Sequence, residues 1–190
     1  MSGFTFELVR RTPTRPAEMR VAHLVLTGTA GPYGEVTVTV GRVPRQADLA
    51  AAGLPEASVS HPDTQRQGLI SVDDRTRLSV GGVSAVLSQN RRSLGKKGRG
   101  IGIRLEDRDY TYVSSAVAEE ELRDRDRGPL VRVSSPFASS KVTVAVMAAA
   151  DARDLALALV LQGADRTGLT LTQSAVSGVL SFLNNGKADV

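Results

Sequence analysis

The seven residues Leu155-Ala-Leu-Ala-Leu-Val-Leu161 carry no polar side chain, and they restrict what the chain can fold into more than any other stretch. Just before them, Asp151-Ala-Arg-Asp154 puts an acid at a helix N-cap position and a second acid three residues later. That is the spacing of a capping box, and it sets negative charge at the positive end of a helix dipole. Gly163 follows as a natural residue for the helix end. The same seven residues also alternate Leu with smaller side chains, as a strand would; Ala is a poor strand former and the start signal is helical, so the helix is the preferred reading. A helix that is apolar all round must be enclosed by protein, because it falls far short of the roughly 18 residues that span a bilayer.

The material to enclose it is β-structure. Residues 4 to 9, 20 to 26, 35 to 43, 68 to 72, 75 to 80, 83 to 88, 101 to 105, 110 to 114, 130 to 134 and 141 to 147 read as strands separated by Gly, Pro and Asp turns. The clearest is the third, where Val36, Val38 and Val40 share one face and Thr37 and Thr39 the other. Residues 44 to 67 hold three prolines and a short Ala-rich piece, 47 to 52, that suits a brief helix; the remainder reads as the longest surface loop. Residues 119 to 129, EEELRDRDRGP, mix acids and arginines and read as an exposed helical turn or loop. A second helix, amphipathic, is expected over residues 175 to 183, with Ala175, Val176, Val179, Leu180 and Leu183 on its apolar face.

The expected fold is therefore mainly β, an α+β chain whose antiparallel barrel of about ten strands closes around a buried hydrophobic C-terminal helix, with one further amphipathic helix. At 190 residues one domain is expected over the whole chain, β-rich over 1–148 and helical over 150–186. With no Cys and only His23 and His61, neither a disulfide framework nor a metal site is expected. The N-terminal stretch has no apolar signal-like core and no apolar run reaches spanning length, so a cytoplasmic protein is expected.

An all-apolar helix arriving after the last strand resembles the tubby-like group, with its LURP-one-related and phospholipid-scramblase relatives. The residues that carry the similarity are Val142 to Met147, the acids Asp151 and Asp154, and Leu155 to Leu161. The resemblance implies a twelve-stranded barrel around a central helix and an anionic phospholipid as ligand. Smaller barrels closed by a C-terminal helix, of the pleckstrin-homology type, are the nearest architectural rival.

Positive charge is concentrated in NRRSLGKKGRGIGIR, residues 90 to 104, which carry +6 of a net +4 and leave the rest of the chain at −2. Arg91, Arg92, Lys96, Lys97 and Arg99 sit on a glycine-hinged segment suited to phosphates of a lipid or nucleic-acid surface, and Arg104 follows on a solvent-facing strand position. The bland alternative is a solvated loop that keeps the protein soluble. No aromatic lies between residues 34 and 109, which disfavours base stacking. GKKGRG has neither the order of a P-loop nor a βαβ setting for dinucleotides. Ser93-Leu-Gly-Lys96 matches S-x-x-K without its companion motifs, and no G-x-S-x-G accompanies His23, His61 and Asp63.

No catalytic residue and no cofactor is therefore expected. The reading of function is a non-enzymatic module that binds an anionic surface, phospholipid headgroups above all, through Arg91, Arg92, Lys96, Lys97, Arg99 and Arg104. The alternatives are an assembly subunit of a larger complex, contacting itself or a protein partner through the helix Ala175 to Leu183, and non-specific nucleic-acid binding.

Overall fold

The computed structural model describes residues 2–63, 68–89, 100–136 and 139–165. Twelve strands form one antiparallel barrel: β1 (Phe4–Arg11), β2 (Ala22–Thr29), β3 (Glu35–Gly41), β4 (Gln46–Ala51), β5 (Ala57–Ser60), β6 (Arg77–Val80), β7 (Val83–Gln89), β8 (Gly100–Leu105), β9 (Arg108–Ala116), β10 (Glu119–Asp124), β11 (Gly128–Ser134) and β12 (Lys141–Val146). Each pairs with its neighbour in sequence, and β1 closes the ring on β12 with Phe4 opposite Val146 and Val9 opposite Lys141. Closure leaves no unpaired edge. A short helix α1 (Pro16–Val21) joins β1 to β2, and α2 (Ala152–Val160) follows β12.

Period-two patterning sends one apolar row per strand inward: Phe6 and Leu8, Val36 to Val40 in alternation, Ile101 to Leu105, Tyr110 and Tyr112, Val142 to Val146. α2 fills the space they enclose. Leu155 through Leu161 are all at or below 1% exposure, including the alanines, so the rod is covered on every side. Burying its four leucines contributes on the order of 6 to 12 kcal/mol before the chain-ordering cost.

α2 starts at the mouth of the barrel with Asp151, Ala152 and Arg153 half-buried, and its first N–H groups need acceptors. Asp151 accepts from the backbone N–H of Arg153 (2.9 Å) and Asp154 (3.0 Å), and Asp154 Oδ2 accepts from the N–H of Asp151 (2.9 Å), completing the box. Asp154 is fully buried and also binds the barrel wall. Arg127 meets it with Nη1 at 2.7 Å and Nη2 at 3.0 Å, Tyr110 donates its hydroxyl at 2.7 Å, and Arg108 Nη1 lies at 3.2 Å. Burial, reinforced by the Asp154 carboxylate and opposed by Arg108, pushes the Tyr110 hydroxyl up to about 12, so it stays a donor at neutral pH.

At the other end, a 3-10 turn (Leu161–Gly163) carries the chain out. Gln162 is buried and donates to the Tyr112 hydroxyl (2.8 Å), which donates to Glu120 (2.7 Å). The segment around Ile70 crosses the helix end, with Ile70 N–H on the Gly163 carbonyl (2.8 Å) and Asp165 N–H on the Ile70 carbonyl (2.6 Å).

Several local expectations change. The Ala-rich 47–52 piece is not a helix; residues 46–51 form β4, with Ala47 and Leu49 inward. Ala47 is small because the helix exit lies against it: a Cβ added to Gly163 would come within 2.2 Å of the Ala47 Cβ. β5 lies inside the expected long loop, with Ala57 and Val59 inward. Residues 119–124 are a strand rather than a helical turn. Its outward Glu121 is covered by Arg123 and Arg132, with Arg132 Nη2 at 3.1 Å, while Leu122 enters the core. Cross-strand ion pairing stabilises what its charge made look like solvent-exposed loop. Residues 68–72 form only a single bridge, Ile70 to Ala164, and the barrel has twelve strands rather than ten. The helix expected over residues 175 to 183 lies outside the described residues.

Asp154→Ala should destabilise the fold by about 3–5 kcal/mol, because it leaves Arg108, Arg127 and the Tyr110 hydroxyl without their buried partner; urea unfolding monitored by circular dichroism reads this directly. Acid should act through the same cluster. Burial raises the carboxyls of Asp124 and Asp151, but the backbone N–H groups and arginines they accept from outweigh it and hold both below their usual value. Their folded pKa values being lowered, the stability they supply is complete above about pH 4 and declines as pH falls through the folded values. Melting temperature should therefore drop below about pH 4, and less steeply in an Asp124→Asn, Asp151→Asn double variant.

A candidate anion-binding rim

The barrel has two chemically different ends. α2 begins at one, here the cap rim, and the chain leaves the barrel at the other, the tail rim. Strand direction assigns every connection to one of them. The described residues of the tail-rim connections, 12–21, 42–45, 61–63, 68–76, 117–118, 135–136 and 139–140, carry five Arg against four acids, and in the sequence residues 90–99, between β7 and β8, add five cations and no acid. Cap-rim connections are 30–34, 52–56, 81–82, 106–107, 125–127 and 147–151, with two Arg against five acids.

The two rims also differ in how their cations are used. On and beside the cap rim every arginine is ion-paired: Arg104 and Arg125 with Asp109 (3.0 Å each), Arg108 with Asp151 (2.6 Å) and Asp154, Arg127 with Asp124 (3.2 Å) and Asp154, and Arg153 with Glu106. At the tail rim Arg11 meets Glu18 (2.9 Å) and Lys141 meets Glu7 (2.9 Å), but Arg15, Arg20, Arg42, Arg45 and Arg77 form no ion pair among the described residues. Arg42 is positioned by hydrogen bonds, its N–H on the Val21 carbonyl (3.1 Å) and its Nε on the Ala22 carbonyl (3.2 Å). Arg45 is buried, with Nη2 donating to the Leu69 carbonyl and, among the described residues, no partner for Nε or Nη1.

The expected site residues divide between these surroundings. Arg91, Arg92, Lys96, Lys97 and Arg99 lie outside the described residues; the strands that flank them end and begin at the tail rim, with Gln89 opposite Ile101. Arg104 lies further along β8, toward the cap rim, and is tied to Asp109, so the structure does not group it with the tail-rim cations. Sequence reasoning missed Arg15, Arg20, Arg42, Arg45 and Arg77. They are isolated in the sequence and become neighbours only when hairpins at one end of a barrel are counted together.

His61, beside the same rim, is buried with Nε2 3.0 Å from both carboxylate oxygens of Asp73, while Nδ1 accepts the Asp63 N–H at 3.0 Å. An acceptor at Nδ1 requires the proton on Nε2, so both ring nitrogens are engaged in fixing the turn. Among the described residues, no group of three or more His, Cys, Asp or Glu is arranged to hold a metal ion, and no helix is long and apolar enough to cross a membrane.

Compared with known proteins, the chain matches no family model, no curated protein and no solved structure.

Because Arg104 is already paired and lies apart from the tail rim, Arg104→Gln should leave binding to any polyanion within twofold of the parent, whereas Arg15→Gln with Arg20→Gln should weaken it. Retention on a heparin column, read as the eluting salt concentration, checks both.

Proposed function

We propose that the chain is a non-enzymatic binding module that engages an anionic surface, a layer of phospholipid headgroups, through its tail rim and the basic segment 91–99 joined to it. The observation that carries this reading is that the arginines without an ion pair among the described residues gather at one end of the barrel. Paired arginines, as at the cap rim, are spent on the fold. Unpaired ones gathered on one face create a positive potential that recruits anions and cost the fold self-repulsion, which a bound anionic surface relieves.

Two further points support it. The segment 90–99 adds five cations, Arg91, Arg92, Lys96, Lys97 and Arg99, without an acid, on a glycine-rich stretch between two strand ends of that rim. The resemblance to the tubby-like group implies the same class of ligand, and a twelve-stranded barrel around a central helix is the architecture that resemblance implies.

Cosedimentation with phosphatidylcholine vesicles, with and without phosphatidylserine, tests the proposal over a salt series. Binding should require the anionic lipid and weaken steeply with salt. Replacing Arg91, Arg92, Lys96, Lys97 and Arg99 by Ser or Gln should weaken it at least a hundredfold, since each cation near such a surface is worth about 1 kcal/mol. Full binding by that variant removes the basic segment from the site, and absence of binding by the parent protein overturns the reading.

A further inference from the structure

The tail rim carries a second feature that charge does not explain. Met19, Val21, Val43 and Val117 are 44%, 63%, 76% and 89% exposed, and all four belong to tail-rim connections. The cap rim is the internal control. Its larger apolar residues are covered, Leu54 buried and Tyr33 and Met147 half-buried, and no large apolar side chain of its connections is exposed. A single exposed valine needs no explanation, but gathering four such residues on the cationic end does.

Their arrangement discriminates between partners. Val21 ends α1 and Val43 lies in the β3–β4 turn, and the two are held side by side by the bonds from Arg42 to the Val21 and Ala22 carbonyls. Val117 stands across the barrel mouth, at the β9–β10 turn. These are separated apolar points, with Arg20 between Met19 and Val21 and Arg42 next to Val43 in the chain, rather than one contiguous patch. A protein interface gathers its apolar residues at a centre depleted of charge. Nucleic-acid backbone rewards the cations and gains nothing from valines standing at the same level. A bilayer rewards both, since apolar tips enter the boundary between headgroups and acyl chains while arginines beside them remain among the phosphates.

Resting on the reading of the tail rim as the anion-binding face, we infer that this rim docks edge-on to an anionic lipid bilayer and inserts Met19, Val21, Val43 and Val117 into the boundary between headgroups and acyl chains. The partner is then a bilayer specifically, and the barrel axis stands away from the membrane with the cap rim outermost.

The chain contains no Trp, so one introduced residue is a clean reporter of depth. In the full-length protein, Val117→Trp and Val43→Trp should each show a blue-shifted emission with phosphatidylserine-containing vesicles, and quenching by lipids brominated high on the acyl chain. Ala149→Trp, at an exposed cap-rim position, should show neither. Exchanging Met19 for Gln and Val21, Val43 and Val117 for Thr should lower vesicle affinity at least tenfold and leave retention on heparin unchanged. If the protein cosediments with the vesicles while Val117→Trp emission is unshifted and unquenched, insertion is wrong and binding is by charge alone. Failure to cosediment at all instead removes the anionic-surface reading beneath it. A blue shift at Val117→Trp with duplex DNA and none with vesicles would transfer the rim to nucleic acid.

Discussion

The structure depends on how a helix with no polar face is started inside a closed sheet. Packing Leu155 to Leu161 against the barrel's inner rows satisfies the side chains but does nothing for the first N–H groups of α2. Asp151 and Asp154 supply acceptors, and Asp154 does more. One fully buried carboxylate accepts from its own helix, from Tyr110 on β9, and from Arg108 and Arg127 at the start of β9 and in the β10–β11 turn. The same group that caps the helix thus fixes its depth and rotation against the wall. An isolated buried carboxylate would be prohibitive, but here two guanidinium groups neutralise it and every oxygen is hydrogen-bonded.

That arrangement also accounts for the different chemistry of the two ends. Capping draws acids to the end where the helix begins, and the acids draw arginines that become locked in ion pairs. Toward the helix end Gln162 donates to the Tyr112 hydroxyl, which donates to Glu120, and backbone bonds run across the Ile70 crossing. Positive charge near the carbonyl end of α2 is moreover favoured by the helix dipole, though only over the last turn.

How much of this could be read from the sequence follows from how local each signal is. The rod and its cap are contiguous in residues 151 to 161, so their structure was legible, and enclosure by antiparallel sheet followed from it. β4 and β10 were not legible, because their strand character rests on partners distant in sequence. Ala47 faces inward because Gly163 lies against it, and Glu121 is covered by Arg132 from β11. Composition alone favours helix for the first and loop for the second, and tertiary context overrides both. The basic segment 91–99 was visible because its charges are adjacent. Arg15, Arg20, Arg42, Arg45 and Arg77 belong to three separate stretches of chain, as do the exposed Met19, Val21, Val43 and Val117. Only strand order and direction assemble them.

Where binding happens is constrained by the same filling of the barrel. A barrel of this strand number can hold a ligand in its interior, but here side chains of α2 occupy the axis and are buried along the whole length of the rod. The outer wall is a paired sheet with ion pairs such as Arg132 with Glu121, and its exposed apolar residues, Val9 on β1 and Val86 on β7, stand singly on opposite sides of the ring. The rims remain, and the arginines of the cap rim are all held in ion pairs. The tail rim is the end that holds Arg15, Arg20, Arg42, Arg45 and Arg77, which form no ion pair among the described residues, and the uncovered apolar tips, so the demand for a partner falls there. The helix that makes the fold possible therefore also moves recognition from the inside of the barrel to its edge.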